Sequence, residues 1–326
     1  MDARAAVVVA RKISRSGEPW LHNEVAQRMA NRLPLIRHNT RQWIHWAPRL
    51  GGLAVQQRVP PLLAKAHQTV LQTDAVDLKW AKQAMSPAWW RHLFTRSLEF
   101  SSRISHEADM VWCNMQLHMH PDPLALMRAW SEALNSQGYV MFSCLGPDSL
   151  RELRALFEEE SWPPAHTDFT DMHDWGDMLL QAGFAQPIMD MEHMTLTYAS
   201  AEDLLRDLRT LGRNLHPQRF AGLRGRAWHR QLLQALQKKL ASAAHQGRLA
   251  LTFEVIYGHA FKASKVAKRD GPAVVSLDDM KNVVNRRKNP LSALPRNPLR
   301  RKAFCHQRPA SLVSGHTTVP LLQWFG

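Results

Sequence analysis

The 326-residue chain has little cysteine: Cys113, Cys144 and Cys305 are all there is. Three widely spaced thiols encode neither a disulfide framework nor a zinc spacing. Cys113 and Cys144 lie in apolar stretches, so inert core residues are expected there. Long apolar runs are also missing. None approaches the ~18 residues of a membrane span. The run VVVA (7–10) is too short for a signal-peptide core and has no cleavage signature. A soluble, cytoplasmic protein with no membrane partner is the expectation. Acidic residues are in deficit, 28 against 42 Lys and Arg, giving a formal net charge of +14. Most of that excess sits in residues 262–308, with thirteen Lys or Arg against three Asp. A basic tail is not a basic binding face. The body has no helix-turn-helix, zinc-finger or RNA-binding signature, so nucleic acid is not the expected partner. A mildly basic body suits an acidic partner such as a carrier protein.

What is present is alternation of two periodicities. Leu21, Val25, Met29 and Leu33 form one apolar helix stripe, stopped at Pro34. RQWIHWA (41–47) reads as a strand, with Gly51 and Gly52 supplying a turn. LAVQQRV (53–59) begins as a helix that Pro60 and Pro61 break or restart. QTVLQTD (68–74) reads as a strand and VDLKWAKQAM (76–85) as a helix. Residues 86–107 carry no clear period; Trp89 and Trp90 read as buried packing. ADMVWCNM (108–115) is a strand turning polar at Asn114. PLALMRAWSEALNSQG (123–138) reads as a helix ended by Gly138 in a left-handed stop. YVMFSCLG (139–146) is an apolar strand of a sheet covered on both faces.

Asp148 or Ser149 is positioned to cap the helix SLRELRALFEEE (149–160). TDMHDWGDMLLQAGF (170–184) is a helix started by Asp171 or Asp174 and stopped by Gly183. IMDMEHMTLTYA (188–199) alternates like an antiparallel strand. SAEDLLRDLRTLG (200–212) opens with a capping box, Ser200 and Asp203. A helix over 227–244 and a last strand, LALTFEVIYGHAFK (249–262), follow. Strands alternating with helices imply a mostly parallel α/β sheet. The late strands, after a helical insertion, imply a terminal hairpin. Ligands of such sheets lie beyond the carboxyl ends of the strands, where Asn114, Gly146 and the end of the 68–74 strand would stand.

The segment ADMVWCNMQLHMHPDPLALMRAWSEALNSQGYVMFSCLGPDSLRELR (108–154) resembles the second half of a class I S-adenosylmethionine-dependent methyltransferase. More narrowly, it is similar to the biotin-pathway malonyl-[acyl-carrier-protein] O-methyltransferase family. The carrying features are the strand ending at Asn114, the helix and Gly138, and the strand running into Gly146-Pro147-Asp148-Ser149-Leu150. FTDMHDWGDMLLQAGF (169–184) and LTFEVIYGHAFK (251–262) match its later helix and closing strand. The similarity spans about 20–285 and is strongest over 108–261. It implies a doubly wound, seven-strand, Rossmann-like α/β sheet with a helical insertion. The implied organisation is an N-terminal segment (1–19), a methyltransferase-like domain (20–288) and a basic, disordered tail (289–326).

The resemblance also implies S-adenosylmethionine as cofactor and malonyl-carrier protein, or another malonyl thioester, as partner. The methyl would go to the free carboxylate by direct displacement. A carboxylate is already ionised near pH 7, so no general base is implied and no catalytic residue is assigned. Placing the reactants in line and excluding water would suffice.

The family's first loop reads roughly D-x-G-x-G-x-G after a strand. Alignment sets His45 at the acid and Ala47, Arg49 and Gly51 at the glycines, with Gly52 adjacent. This altered loop is like that of a subgroup among these relatives. Arg49 would face a sulfonium, an unfavourable pairing of like charges; a plain structural turn on Gly51 and Gly52 is the alternative. Gln72 falls where the ribose-binding acid belongs, and Asp74 lies two residues later. Asn114 completes the cofactor rim. Trp20 is the candidate lid aromatic. Arg213, Asn214, His216 and Arg219 could hold a carboxylate or phosphopantetheine, or be solvated helix-end polarity. His118, His120 and Asp122 have no third fixed ligand spacing, so no metal is expected and a rim role near the substrate entrance is favoured. Asp171, His173, Asp174 and Asp177 are better explained by helix-start capping. Three functions remain open: an O-methyltransferase; a methyltransferase-fold protein that no longer catalyses and binds an acyl carrier or other protein; and, behind these, a nucleic-acid-binding protein acting through its basic tail.

Overall fold

A computed structural model describes residues 20–85, 98–105 and 107–264. Trp89, Trp90 and the 289–326 tail lie outside the described residues. The first helix, α1 (Trp20–Arg32), buries Leu21, Val25 and Met29 and ends just before a 3-10 turn containing Pro34. Then come β1 (Gln42–Trp46), a one-turn helix α2 (Pro48–Gly51), α3 (Val55–Leu62), β2 (His67–Leu71), α4 (Ala75–Met85) and β3 (Leu98–Ser101). The second half runs β4 (Ala108–Cys113), α5 (Pro123–Ala133), β5 (Leu134–Leu145), α6 (Arg151–Glu159) and α7 (Met172–Gln181). It closes with β6 (Phe184–Tyr198), the insertion helices α8 (Ala201–Leu211) and α9 (Arg226–Leu240), and β7 (Leu249–Lys262).

The seven strands form one sheet in the order β3-β2-β1-β4-β5-β7-β6. The first five are parallel; β7 inserts antiparallel between β5 and β6, pairing Val140 with Ala260 and His193 with Glu254. Successive residues of the central strands bury on opposite faces. Trp43, Met110, Trp112 and Tyr257 pack with α1, α3, α6 and α9, while Ile44, Val111, Cys113 and Ile256 pack with α5 and α7. Two-sided burial is why these strands read as continuous apolar runs. Cys113 and Cys144 are free and buried. Capping follows the local rules at two helix starts. The Asp171 carboxylate accepts from His173 N–H, and Ser200 Oγ from Asp203 N–H.

Four local expectations are corrected. Pro60 and Pro61 do not break α3; they lie in its last turn, where each proline removes one N–H but the helix is already ending. The 123–138 helix stops at Ala133, and Leu134 already belongs to β5. Gly138 is therefore no helix stop: a Cβ there would sit 2.8 Å from Ala108 O, so the glycine serves close strand approach. Neither Asp148 nor Ser149 caps α6. Its N-cap is Leu150, left-handed at φ 58° with no side-chain cap, because Ser149 Oγ is spent on the Glu254 backbone.

Candidate functional site

Open, doubly wound α/β sheets place ligands at the carboxyl ends of strands either side of a reversal in order. Here that rim lies between β1 and β4, and the chain itself fills it. After Trp46 the backbone turns sharply at Ala47, a non-glycine in the left-handed region (φ 44°), and Pro48 starts the single turn of α2. Arg49 points across to α4. Its Nη1 donates to Asp77 Oδ1 at 2.7 Å, with both side chains nearly buried, and its guanidinium lies 5.0 Å from the Trp80 ring centre. Gln72 Nε2 donates to the other Asp77 oxygen at 3.1 Å. Asp74 is elsewhere: its carboxylate accepts from Val76 and Asp77 N–H at the start of α4.

The other side of the loop is held by α1 and β4. Asn114, fully buried, donates from Nδ2 to His22 O and Gly51 O at 2.8 and 2.5 Å, and its Oδ1 accepts from Ser143 Oγ. His22 Nδ1 donates to Leu50 O, and Gln116 Nε2 to Trp46 O and Ala47 O. Gly52 has φ 86°, and a Cβ on it would stand 2.5 Å from Asn23 Oδ1. His45 is buried beneath the loop. Burial holds its imidazole down to about 3, and its Nε2 has no partner.

Whether these residues fit S-adenosylmethionine is decided by that packing. A cofactor needs open backbone at the loop. Here the space at Gly52 is taken by Asn23, and Asn114 reaches Gly51 directly. Arg49 itself is turned toward α4 and neutralised by Asp77. Only Gln72 Oε1, buried and unpartnered, offers what a ribose hydroxyl wants. With Asn23 and Asn114 packed on the loop, the cofactor would have to displace them to reach its backbone.

On the neighbouring part of the rim lies a cavity of about 230 Å³. Leu145, Leu153, Leu208 and Phe253 make its walls, and His118, Arg209 and Arg213 also line it. His118 is buried, while Arg209 and Arg213 are exposed, which sets an inner and an outer end. Arg213 Nη1 donates to the carbonyls of Arg209 and Gly212. Burial first, and Arg209 second, lower its pKa, a pairing of cations that an anion would relieve. Of the other acceptor-side candidates, His216 and Arg219 knit their own turn: Arg219 Nη1 donates to His216 O, and His216 N to Asn214 Oδ1. Trp20 Nε1 donates to Asp207, which also accepts from Tyr198 OH, so it ties α1 to α8 and lines a separate depression.

His118 and His120 do not converge. His120 Nδ1 is within 2.7–3.2 Å of the Asp122 backbone, whereas His118 turns inward against Phe169. Among the described residues, one other set brings ligand atoms within 4.8 Å of each other: Asp148, His193 and Glu254. Asp148 N–H donates to Glu254 Oε2, and His193 Nε2 is 3.2 Å from Asp148 Oδ2. Sequence reasoning missed this group and Asp77, because their partners are set by strand pairing and loop packing rather than by spacing.

A seven-stranded sheet with a parallel body and a reversed final hairpin, helices on both faces and an apolar cavity at the rim defines a class I S-adenosylmethionine-dependent methyltransferase fold. No family model matches the chain. It is 35% identical over 266 residues to malonyl-[acyl-carrier protein] O-methyltransferase of Gallionella capsiferriformans, covering 78% of this chain and 88% of that protein. It is 35% identical over 277 residues to the enzyme of the same name from Laribacter hongkongensis, covering 81% and 88%. Coxiella burnetii malonyl-[acyl-carrier protein] O-methyltransferase 1 is 32% identical, covering 73% and 79%. A solved structure of a putative methyltransferase from Bacillus halodurans superposes with a TM-score of 0.48 at 15% identity, covering 72% and 98%. The chain belongs to the malonyl-[acyl-carrier protein] O-methyltransferase family, which is S-adenosylmethionine-dependent. Among the described residues no helix is long and apolar enough to cross a membrane.

Proposed function

We propose that the chain is an O-methyltransferase of biotin synthesis whose acceptor is the free carboxylate of a malonyl thioester on an acyl carrier protein. The observation that carries this reading is the apolar cavity on the strand rim, with Arg209 and Arg213 at its exposed side. Its walls exclude water from the acyl arm. The two guanidinium groups suit the anionic groups of a carrier-bound thioester, whether carboxylate or phosphopantetheine phosphate. The acceptor needs no base, because a carboxylate is ionised near neutrality. The test is transfer of radiolabel from methyl-labelled S-adenosylmethionine to malonyl-carrier protein, read as a base-labile ester. Ester formation that falls at least tenfold in Arg213→Ala is the expected result. Absence of ester at millimolar donor refutes it.

The filled loop favours a second reading: a methyltransferase-fold protein that holds a carboxyacyl carrier without transferring methyl. Malonyl-carrier binding without ester formation in the same assay would select it.

A further inference from the structure

His118 is nine-tenths buried and lines the inner part of the acceptor cavity. The backbone fixes its tautomer: Leu145 N–H donates to Nδ1 at 3.3 Å, so Nδ1 is an acceptor and the ring proton sits on Nε2. The ring is neutral. Burial, reinforced by nearby His22, holds it down to about 3. Phe169 packs edge-on at 5.8 Å between ring centres and limits its rotation. Nε2–H has no hydrogen-bond partner among the described residues. That nitrogen is not fully enclosed, and its ring lines a mainly apolar cavity, so the free donor is available to a ligand there.

We infer that His118 is the specificity-determining residue of the acceptor site. Its Nε2–H donates to a terminal carboxylate oxygen of the acyl group, so the cavity selects carboxyl-terminated short acyl thioesters over their methyl-terminated isosteres. The inference rests on the acceptor site proposed above and not on any step of methyl transfer. At the outer end, Arg209 and Arg213 supply positive charge. At the inner end a neutral donor orients the carboxylate without the tight ion pair that would blunt it as a nucleophile. The volume is compatible: a chain atom with its hydrogens takes up roughly the 30 Å³ of a water, so a malonyl arm fits within 230 Å³.

Two substitutions separate this role from a structural one. His118→Asn puts an acceptor near the Nδ1 position, preserving the contact with Leu145 N–H, but has nothing at Nε2. His118→Gln puts an amide donor near Nε2. Binding to the full chain is measured by calorimetry, without methyl donor, using malonyl-pantetheine and butyryl-pantetheine. His118→Asn is expected to weaken malonyl-pantetheine by about 10–100-fold, the range for one hydrogen bond to a charged group. Butyryl-pantetheine should stay within about threefold in the same variant, and His118→Gln should keep malonyl binding within about threefold by the same reasoning. Equal losses for both ligands in His118→Asn, or unchanged malonyl binding, would overturn the assignment. So would wild-type chain that binds neither ligand. Selective malonyl binding without ester formation leaves this assignment standing while methyl transfer fails. Ester formation with unchanged selectivity in His118→Asn does the reverse.

Discussion

The Arg49–Asp77 pair is the contact on which the closed loop can be tested quantitatively. The two side chains are 10% and 14% exposed and 2.7 Å apart. Removing one partner strands the other in a site where water reaches it poorly. Breaking a buried pair costs about 3–5 kcal/mol; the residual exposure and the Gln72 bond to Asp77 place Arg49→Met near the lower end, about 3 kcal/mol. That figure includes about 0.5–1 kcal/mol for the cation–π contact with Trp80. Asp77→Asn removes the charge and leaves one acceptor oxygen, so one of its two donors, Arg49 or Gln72, faces an amide NH2; it should cost about 2 kcal/mol. Once Arg49 is gone, Asp77→Asn removes only an unpaired buried charge, so the double variant should cost no more than Arg49→Met alone. The coupling energy is then about 2 kcal/mol, within the range seen for residues in direct contact. Urea unfolding of the four proteins measures it. Additivity within about 0.5 kcal/mol would mean that solvent screens the pair and that the loop is not held by it.

The same reasoning extends to the cofactor. Ala47→Gly relieves the left-handed alanine, and Arg49→Gly removes the cation from the floor. If these two residues are what close the site, the double glycine variant should bind S-adenosylhomocysteine at least tenfold more tightly than the parent by calorimetry. That ligand lacks the sulfonium charge, so a gain reports on space rather than on repulsion. Unchanged affinity would mean that the closure lies in the other wall of the loop, where Asn114 joins Gly51 to His22.

Acid should destabilise the fold through its buried imidazoles. Burial holds His22 at about 4 and His45 and His118 at about 3, against an ordinary 6.5. Below pH 6.5 the unfolded chain takes up protons that the folded chain refuses. Their contribution is therefore complete above about pH 6.5 and is lost as pH falls toward 3–4, at roughly 1.4 kcal/mol per imidazole per pH unit. Urea midpoints between pH 7 and 5 should fall steeply, and less steeply in His45→Leu, which also removes an unpartnered buried nitrogen; parallel curves for the two proteins would refute this. Gly146→Ala should cost about 2–4 kcal/mol, because its Cβ would lie 2.5 Å from the Glu254 carboxyl carbon and displace the acceptor of Asp148 N–H. A loss below 0.5 kcal/mol by urea unfolding, within the ordinary surface range, would show that Glu254 moves freely.

The sheet was legible where burial repeats along the chain. The run 139–146 shows itself as a strand because both of its faces are covered, and the 188–199 alternation betrays an edge strand with a wetter surface. Ser200 with Asp203 and Asp171 with His173 cap their helices through neighbours two or three residues away, which a sequence displays. The 123–138 segment misled because LNSQG is polar and follows a good helical stripe. Strand pairing of Leu134 with Ala108, not local preference, draws it into β5. Pro60 and Pro61 misled because a proline's cost depends on how many helical bonds remain to be lost. The acceptor cavity was only partly visible: Arg213 was read from charge near a helix end, but the walls come from Leu145, Leu208 and Phe253, which only the fold assembles.

The loop altered at 45–52 is therefore better understood from its partners than from its missing glycines. Each departure has acquired a contact that holds it. Arg49 has Asp77 and Trp80. Gly52 has Asn23 against it. Ala47 tolerates a left-handed turn while Gln116 binds its carbonyl. A loop that had merely lost a ligand would carry unpaired polar groups facing a void. This one retains few, chiefly His45 Nε2 and Gln72 Oε1. Those two lie apart, one below the β1 loop and one beside Asp77. On the neighbouring part of the rim the ring of His118 lines an open cavity. Packing covers the β1 loop while the neighbouring cavity is open, so the two parts of the rim can be tested separately. Titrating malonyl-pantetheine and S-adenosylhomocysteine against the same protein separates the two readings: binding of both supports the methyltransferase and means that the loop opens at a cost below that of breaking Arg49 from Asp77, whereas binding of the first alone selects the protein that holds a carboxyacyl carrier without transferring methyl.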